Sequence, residues 1–142
     1  MNEVRAMPQP PSHRRREAPA EAQHVSDLRA WVASSAVKAG ASATECADIA
    51  LAVSEALSNV VVHAYAKAPE VGSMWVETYV ERARFVVEVH DEGGGLSPRM
   101  DSPGAGIGLA LIAALTEGIE ISGGGGSAGA RLRMRFALVG LS

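Results

Sequence analysis

The sequence predicts a two-layer α/β sandwich, in which a mixed and mostly antiparallel sheet carries all of its helices on one face. Three segments have apolar residues at helical spacing, and shorter segments with the period of a strand are interspersed with them. The clearest strand, ARLRMRFAL at residues 130–138, alternates large apolar side chains with arginines. One face of the sheet therefore contacts a core, and the other faces water.

Residues 1–22 are predicted to be a flexible N-terminal tail, and residues 23–142 a single folded domain. The tail contains four prolines and three consecutive arginines at 14–16, with few apolar side chains. Such a segment cannot bury enough apolar surface to offset the entropy that it loses on ordering. We interpret the arginines as a solvated charge run; contact with a partner is the alternative.

Three helices are predicted within the folded domain. The first covers residues 23–39, the second begins at Ser42 or Thr44 and continues to about Ala66, and the third covers about 107–117. Alternating patterns predict the strands, which are residues 74–80, 84–90, 119–122 and 130–138.

Composition argues against several classes of protein. A net charge of −3 over 142 residues gives no general attraction to nucleic acid. No secretory signal is visible, and the most apolar stretch, 47–64, carries Asp48 and Glu55, which are costly in a membrane. The single cysteine, Cys46, fits a reducing compartment. We therefore expect a cytoplasmic protein without direct contact to nucleic acid or membrane.

One face of the second helix carries polar side chains without a counter-charge. Glu55, Asn59 and His63 follow one another at intervals of four residues and therefore stack along the helix. No Lys or Arg occurs between Glu45 and Lys67. A carboxylate and a carboxamide so placed favour a hard cation such as Mg²⁺, and a desolvated Glu55 could accept a proton. The alternative is an exposed polar edge of a half-buried helix.

The second predicted strand leads into an aspartate on its core-facing side. Phe85, Val87 and Val89 alternate onto one side, and Asp91 continues that side. A buried carboxylate needs a donor, and the exocyclic amino group of a nucleobase would serve. The glycines at 93–95 would let the backbone approach a flat ligand closely. The alternative is an aspartate that caps its own turn.

A glycine-rich segment opens the third predicted helix, with Gly104, Gly106 and Gly108 just before or within the first turn. Unpaired N–H groups at a helix N-terminus attract anions such as phosphate. The spacing is neither that of a Rossmann loop nor that of a Walker loop. Arg99, in the preceding segment, could contact phosphate oxygens or be a solvated turn residue.

These three segments resemble, in order and spacing, the motifs of the GHKL ATPase superfamily, whose members share the Bergerat fold. SEALSNVVVHAY (54–65) resembles the N box, HDEGGGLSP (90–98) the D-x-G-x-G box, and GAGIGLALI (104–112) the second glycine box. The E-x-x-x-N-x-x-x-H-A-Y pattern is most similar to the anti-sigma-factor serine/threonine kinase family. The resemblance covers residues from about 23 to 138.

The resemblance implies a role for each matching residue. Asn59 would hold Mg²⁺ against the phosphates of ATP, and Asp91 would bind the adenine amino group. Glu55 would be the general base that activates an acceptor serine hydroxyl. The other residues of the implied nucleotide site are His63, Gly93, Gly95, Arg99, Gly104, Gly106, Ile107, Gly108 and Leu109.

The same resemblance implies a function and partners. The chain would be an ATP-dependent protein serine/threonine kinase that phosphorylates a STAS-type anti-sigma antagonist, sequesters a sigma factor and forms a homodimer. Two other functions stay open. One is an ATP-binding regulatory module with little chemistry, and the other is a free-standing histidine-kinase-like ATPase domain.

Three features depart from the family pattern. The segment between the D-x-G-x-G box and Gly104 is short, so the lid over the triphosphate is expected to be small. Gly129 and Ala130 stand where the family commonly has Gly-Thr, which removes a hydroxyl from the pocket edge. The usual first strand is hard to find within residues 15–22.

Overall fold

The structure, a computed structural model, describes residues 13–66, 68–93, 105–123 and 129–141, with the backbone alone at 105–107. In this part of the chain, three helices cover one face of a five-stranded sheet. All pairings between the described strands are antiparallel. The predicted two-layer α/β sandwich is confirmed, and its described sheet is antiparallel throughout.

The strands are β1 (Arg14–Pro19), β2 (Ser73–Glu81), β3 (Arg84–Asp91), β4 (Gly118–Gly123) and β5 (Ala130–Ala137). Their order across the sheet is β1-β2-β3-β5-β4. The last four agree with the predicted strands to within one residue at each end. Arg82 and Ala83 join β2 to β3 with φ angles of 52° and 61°, as a tight two-residue hairpin turn requires.

Strand β1 corrects the predicted N-terminal boundary. Its residues pair with β2 from Arg14 opposite Thr78 to Pro19 opposite Ser73, so the predicted tail at 1–22 is wrong for this segment. Every side chain of β1 is exposed except that of Ala18, which is partly buried. A strand at the sheet edge can therefore lack the apolar alternation by which strands are recognised. Residues 1–12 lie outside the described residues.

The helices are α1 (Val25–Lys38), α2 (Ala43–Asn59) and α3 (Ala105–Leu115). The first and third predicted helices are confirmed, with ends shifted by one or two residues. A capping box fixes the start of α2, since the Glu45 N–H donates to Ser42 Oγ at 3.1 Å and the Ser42 N–H donates to Glu45 Oε1 at 2.9 Å.

Helix α2 ends at Asn59, earlier than predicted, and a π-helical turn (Val60–Ala64) continues it. Together, Ala43–Ala64 is long and apolar enough to cross a membrane by length and composition alone, and 39% of its most apolar window is buried. In the fold it is a core helix, because α1 and α3 pack against it and its buried face meets β3.

The hydrophobic core lies between the helices and the sheet. It takes apolar side chains from all three helices and from β2, β3 and β5. Its largest fully buried members are Leu28, Val32, Ile49, Val53, Leu57, Val60, Met74, Val76, Phe85, Ile112, Leu132 and Met134.

The opposite face of the sheet, which we call the open face, is polar as the alternation in β5 predicts. Arg133 pairs there with Glu81 and with Glu120, and Arg135 also pairs with Glu120. These pairs are partly exposed, so each contributes little to stability.

Candidate functional site

The beginning of α3 lies directly against the polar stripe of α2. A Cβ atom on Gly108 would lie 2.7 Å from Glu55 Oε2 and 3.2 Å from Asn59 Nδ2. A side chain at position 108 would require the Glu55 carboxylate to shift, whereas glycine leaves that space to Glu55 and Asn59. The second glycine box therefore lies beside the N box.

Asn59 is the buried member of the stripe. Its side chain is 7% exposed, and Nδ2 has no hydrogen-bond partner among the described residues. An unpaired buried amide is costly unless a ligand satisfies it. A half-turn of the carboxamide exchanges its nitrogen with its oxygen, so either atom can face the gap beside Gly108.

Glu55 is half-buried and lies one turn before Asn59 on the same helix face. No Lys or Arg in the described part of the chain forms an ion pair with it. Its carboxylate therefore keeps its acceptor capacity for a group that comes from outside.

His63 lies in the π-helical turn rather than in α2 itself. The helical wheel that places His63 directly above Asn59 assumes α-helical rotation, which stops at Asn59. His63 is half-buried, and its predicted contact with the nucleotide stays a prediction. Single π-helical turns within helices often occur at functional sites.

Asp91 ends β3 on the helix side of the sheet and is 3% exposed. The Gly93 N–H donates to Asp91 Oδ1 at 2.9 Å. Burial raises the pKa of Asp91, and the Gly93 N–H and the nearby His90 offset this only in part. Asp91 therefore caps its own turn, which was the alternative considered from the sequence, but it does so with only one of its two oxygens. No described residue donates to Oδ2.

Tyr65 connects the π-helical turn to the end of β3. Its hydroxyl donates to the Ser73 carbonyl at 2.6 Å and accepts from the Glu92 N–H at 2.9 Å. Cβ atoms added to Gly72 and Gly93 would lie 2.5 Å and 2.8 Å from its ring. Tyr65 therefore holds the residue that follows Asp91, and it needs glycine on both sides.

Tyr65 is the last residue of the N-box pattern, and the sequence alone assigned it no role. The available signal was an aromatic residue directly after the helix, with glycines at 72 and 93 to accommodate its ring. Burial raises the pKa of Tyr65, so its hydroxyl keeps the proton that it donates to Ser73.

The remaining predicted site residues divide into two groups. Gly106 and Ile107 belong to the first turn of α3, and Leu109 is partly buried against the core. Three others lie outside the described residues, namely Gly95, Arg99 and Gly104. The nucleotide contacts of both groups stay predictions.

Gly129 and Ala130 lie beside Asp91, at the start of β5. Gly129 has a φ of +87°, and a Cβ atom there would lie 3.1 Å from the Asp91 carbonyl oxygen. Ala130 is the cross-strand neighbour of Asp91 and is buried. The hydroxyl that this chain lacks relative to the family pattern would therefore be adjacent to the Asp91 carboxylate.

A cavity of about 600 Å³ opens at the same end of the sheet, lined mainly from the open face. Trp75, His90, Ser122 and Arg131 contribute to its wall, together with Asp91. Glu55, Asn59 and Gly108 do not line it, so this cavity is distinct from the contact between α2 and α3.

Residues 18–136 match the family described as the histidine kinase-like ATPase domain. The match covers most of the chain and contains all three motif segments. The chain belongs to the histidine kinase-like ATPase family. Membership implies that the chain uses ATP, and it agrees with the resemblance found in the three motifs.

Within this family the chain is similar to two kinds of named protein. An anti-sigma F factor of Thermoanaerobacter sp. (strain X514) is 27% identical over 112 residues, which are 71% of this chain and 77% of the relative. The serine-protein kinase RsbW of Staphylococcus epidermidis is 31% identical over 118 residues, 72% of this chain and 74% of the relative. These relatives therefore place the chain in the anti-sigma-factor kinase branch of the family.

A solved structure supports the fold. The crystal structure of the RsbU and RsbW domains of a Mycobacterium tuberculosis protein superimposes with a TM-score of 0.64 at 23% identity. The superposition covers 88% of this chain and 32% of the other. This chain therefore corresponds to about a third of that longer protein.

Proposed function

We propose that this chain is an ATP-dependent protein serine/threonine kinase that phosphorylates an anti-sigma antagonist and, when not so engaged, sequesters a sigma factor. The observation that carries the proposal is the closeness of Gly108 to Glu55 and Asn59, together with the buried Asn59 amide nitrogen, which has no hydrogen-bond partner among the described residues. The printed names of the relatives, an anti-sigma factor and a serine-protein kinase, support it.

The described residues fit Mg·ATP on three counts. Asn59 offers an unsatisfied carboxamide, Gly108 leaves room beside it, and Asp91 keeps one oxygen without a described donor. Bound Mg·ATP supplies the phosphoryl group, and its metal neutralises charge on the phosphates. Asn59 would hold the metal through its carboxamide oxygen, and Asp91 would accept a hydrogen bond from the adenine amino group.

Glu55 is proposed as the general base. A carboxylate that is not committed to an ion pair can accept the proton of a serine hydroxyl as the oxygen of that serine forms its bond to the γ-phosphorus of ATP, while the bond from that phosphorus to the bridging oxygen breaks and ADP leaves. The half-buried position of Glu55 leaves it within reach of a side chain from a second protein.

The proposed partners are a STAS-type antagonist, which carries the acceptor serine, and a sigma factor. The chain is further proposed to form a homodimer in the cytoplasm, to phosphorylate the antagonist and to sequester the sigma factor. These assignments rest on the family branch and on the names of the relatives.

The test is phosphate transfer to a STAS-type antagonist, with Glu55→Gln compared with the wild type. We expect Glu55→Gln to lower the rate constant of transfer by about 10²–10⁴-fold with little change in ATP affinity. Asp48→Asn is the matched control, since Asp48 is an exposed carboxylate on the same helix. It should change neither quantity.

Three outcomes would revise the proposal. Unchanged transfer by Glu55→Gln would refute the base assignment. A wild-type protein that binds ATP and a sigma factor without transferring phosphate would be a regulatory module. An acid-labile phosphoprotein would indicate phosphohistidine and hence a histidine-kinase-like domain.

A further inference from the structure

The open face of the sheet brings two carboxylates into opposition. Glu77 on β2 and Glu88 on β3 are direct cross-strand partners, and both side chains point away from the helices. Like charges at directly opposed positions destabilise a sheet unless something positive lies between them. His90, two residues after Glu88, supplies a nitrogen at that place.

The ligating atoms of Glu77, Glu88 and His90 all lie within 4.8 Å of one another. His90 Nε2 is 2.8 Å from Glu88 Oε1 and 3.5 Å from Glu77 Oε2. Two donors bound to one ion at about 2.1 Å are separated by about 3.0–3.4 Å when their angle is between 90° and 109°. The two separations from His90 bracket that range, and the Glu77 and Glu88 oxygens lie within 4.8 Å of each other, so side-chain rotations that bring the two carboxylates onto one ion would complete the geometry.

Each of these donor groups is oriented by a neighbour. The Tyr79 hydroxyl donates to Glu88 Oε2, His13 Nε2 lies 2.9 Å from Glu77 Oε1, and the Trp75 indole donates to Glu77 at 3.2 Å. The Trp75 ring also stacks on His90, with centroids 4.9 Å apart. Such outer hydrogen bonds fix the ligands of protein metal sites and tune their affinity.

The cluster is shielded yet accessible from one side. The side chains of Glu77, Glu88 and His90 are 20%, 10% and 17% exposed. The cavity of about 600 Å³ reaches the cluster at His90, which leaves room for water as a further ligand. The positive charge of Arg131 contributes to lowering the pKa of Glu88.

We propose that Glu77, Glu88 and His90 form a binding site for a divalent transition-metal ion, with Zn²⁺ as the representative ion. One imidazole nitrogen with two carboxylate oxygens is a donor set that suits zinc and its neighbours in the first transition row, and it suits Mg²⁺ less well. The site lies on the face of the sheet opposite the nucleotide motifs and does not depend on the proposed kinase function.

The first experiment is calorimetric titration of chelator-treated protein with ZnCl₂ in the absence of nucleotide. We expect one saturable site per chain, at least tenfold weaker in His90→Gln and in Glu77→Gln. His24→Gln is the matched control, because His24 also lies beside a glutamate, Glu21, at 3.6 Å, and its loss should leave the affinity unchanged. His13→Gln should weaken binding by about tenfold through loss of an outer contact.

The second experiment uses Trp75 as a reporter. Trp31→Phe leaves Trp75 as the single tryptophan, and Co²⁺ bound beside His90 should quench its fluorescence with the same midpoint that calorimetry gives for Co²⁺. Absence of binding overturns the proposal. Binding that survives His90→Gln, or that is lost in His24→Gln, overturns it as well, since the ion would then be held elsewhere.

Discussion

Two carboxylates on the same strand, Glu88 and Asp91, lie three residues apart and face opposite sides of the sheet. Burial raises the pKa of Glu88, but hydrogen bonds from His90 and Tyr79 outweigh it and lower that pKa to about 2. Burial also raises the pKa of Asp91, and a single backbone N–H does not outweigh it. Both carboxylates are buried, yet the pKa is lowered on one face of the sheet and raised on the other.

The difference lies in the number of donors that the chain supplies. Glu88 receives its hydrogen bonds from within the protein, so its charge contributes to stability. Asp91 keeps an oxygen for which no described residue provides a donor, and its charge costs stability until a ligand arrives. The helix side of the sheet therefore offers a buried carboxylate oxygen to an external donor, and under the proposed function that donor is the adenine amino group.

In the comparison of the two faces, the largest expected effect is that of Asp91→Asn on ATP binding. The carboxamide of this variant carries no charge, and it has one acceptor oxygen where the carboxylate has two, so its NH₂ group can face the adenine amino group instead. The affinity should therefore fall by about 10- to 100-fold or more. Calorimetry with Mg·ATP measures it. The free energy of unfolding should not fall, because the buried charge is gone while the Gly93 contact can persist.

Glu88→Gln is the matched control on the other face, and it should leave ATP affinity unchanged. If Glu88→Gln weakens ATP binding as much as Asp91→Asn does, the two faces are not functionally distinct. Wild-type affinity in Asp91→Asn would refute the adenine contact altogether.

The second expected effect is an opposite dependence of stability on pH for the two residues. The folded pKa of Glu88 lies below its ordinary value of 4.5, so its contribution is present above about pH 4.5 and is lost as the pH falls towards 2. The free energy of unfolding of Glu88→Gln should be lower than that of the wild type by on the order of 2 kcal/mol at neutral pH.

Asp91 has a raised folded pKa, so its cost is present above that pKa and is relieved as the pH falls through it. Asp91→Asn should therefore gain stability relative to the wild type at neutral pH and lose that advantage in acid. Urea unfolding of the three proteins between pH 7 and pH 2, in the presence of a chelator, checks both signs. Parallel curves would contradict the assigned environments.

Sequence patterns predicted most of this fold because most of its elements have a clear period. In β5 the alternation of arginines with apolar residues is local information, and so is the capping box at Ser42. Strand β1 was missed because its inward positions include Arg14 and Arg16, whose pairing with β2 is a property of the tertiary structure. Only Ala18 in that strand is partly buried.

Residues of the candidate site could be selected from the sequence where their polar character stands out from an apolar pattern. Residues whose role depends on a contact with a distant part of the chain could not. Asp91 and Asn59 could be selected as polar residues at apolar positions. The link from Tyr65 to Glu92 spans 27 positions, and the opposition of Glu77 to Glu88 depends on the hairpin register. Neither is visible as spacing along the chain.

Tyr65→Phe tests what keeps the Asp91 end of the strand in place. Loss of the hydroxyl removes a donor to Ser73 and an acceptor for Glu92, so the free energy of unfolding should fall by about 1–2 kcal/mol. ATP affinity should fall several-fold, since the turn that carries Asp91 is then less well fixed. Tyr79→Phe, which removes a tyrosine hydroxyl on the open face, is the control and should leave ATP affinity unchanged.

The smallest expected effect is that of Ala130→Thr, which would make Asp91 more like Glu88. The new hydroxyl would lie beside Asp91, its cross-strand neighbour, and could donate to Oδ2. The pKa of Asp91 should then fall, and stability at neutral pH should rise by about 1 kcal/mol. Ala130→Val has the same shape without the hydroxyl, so NMR titration of Asp91 in both variants separates hydrogen bonding from packing. An equal fall in the pKa of Asp91 in both variants would show that the missing donor is not what distinguishes the two faces.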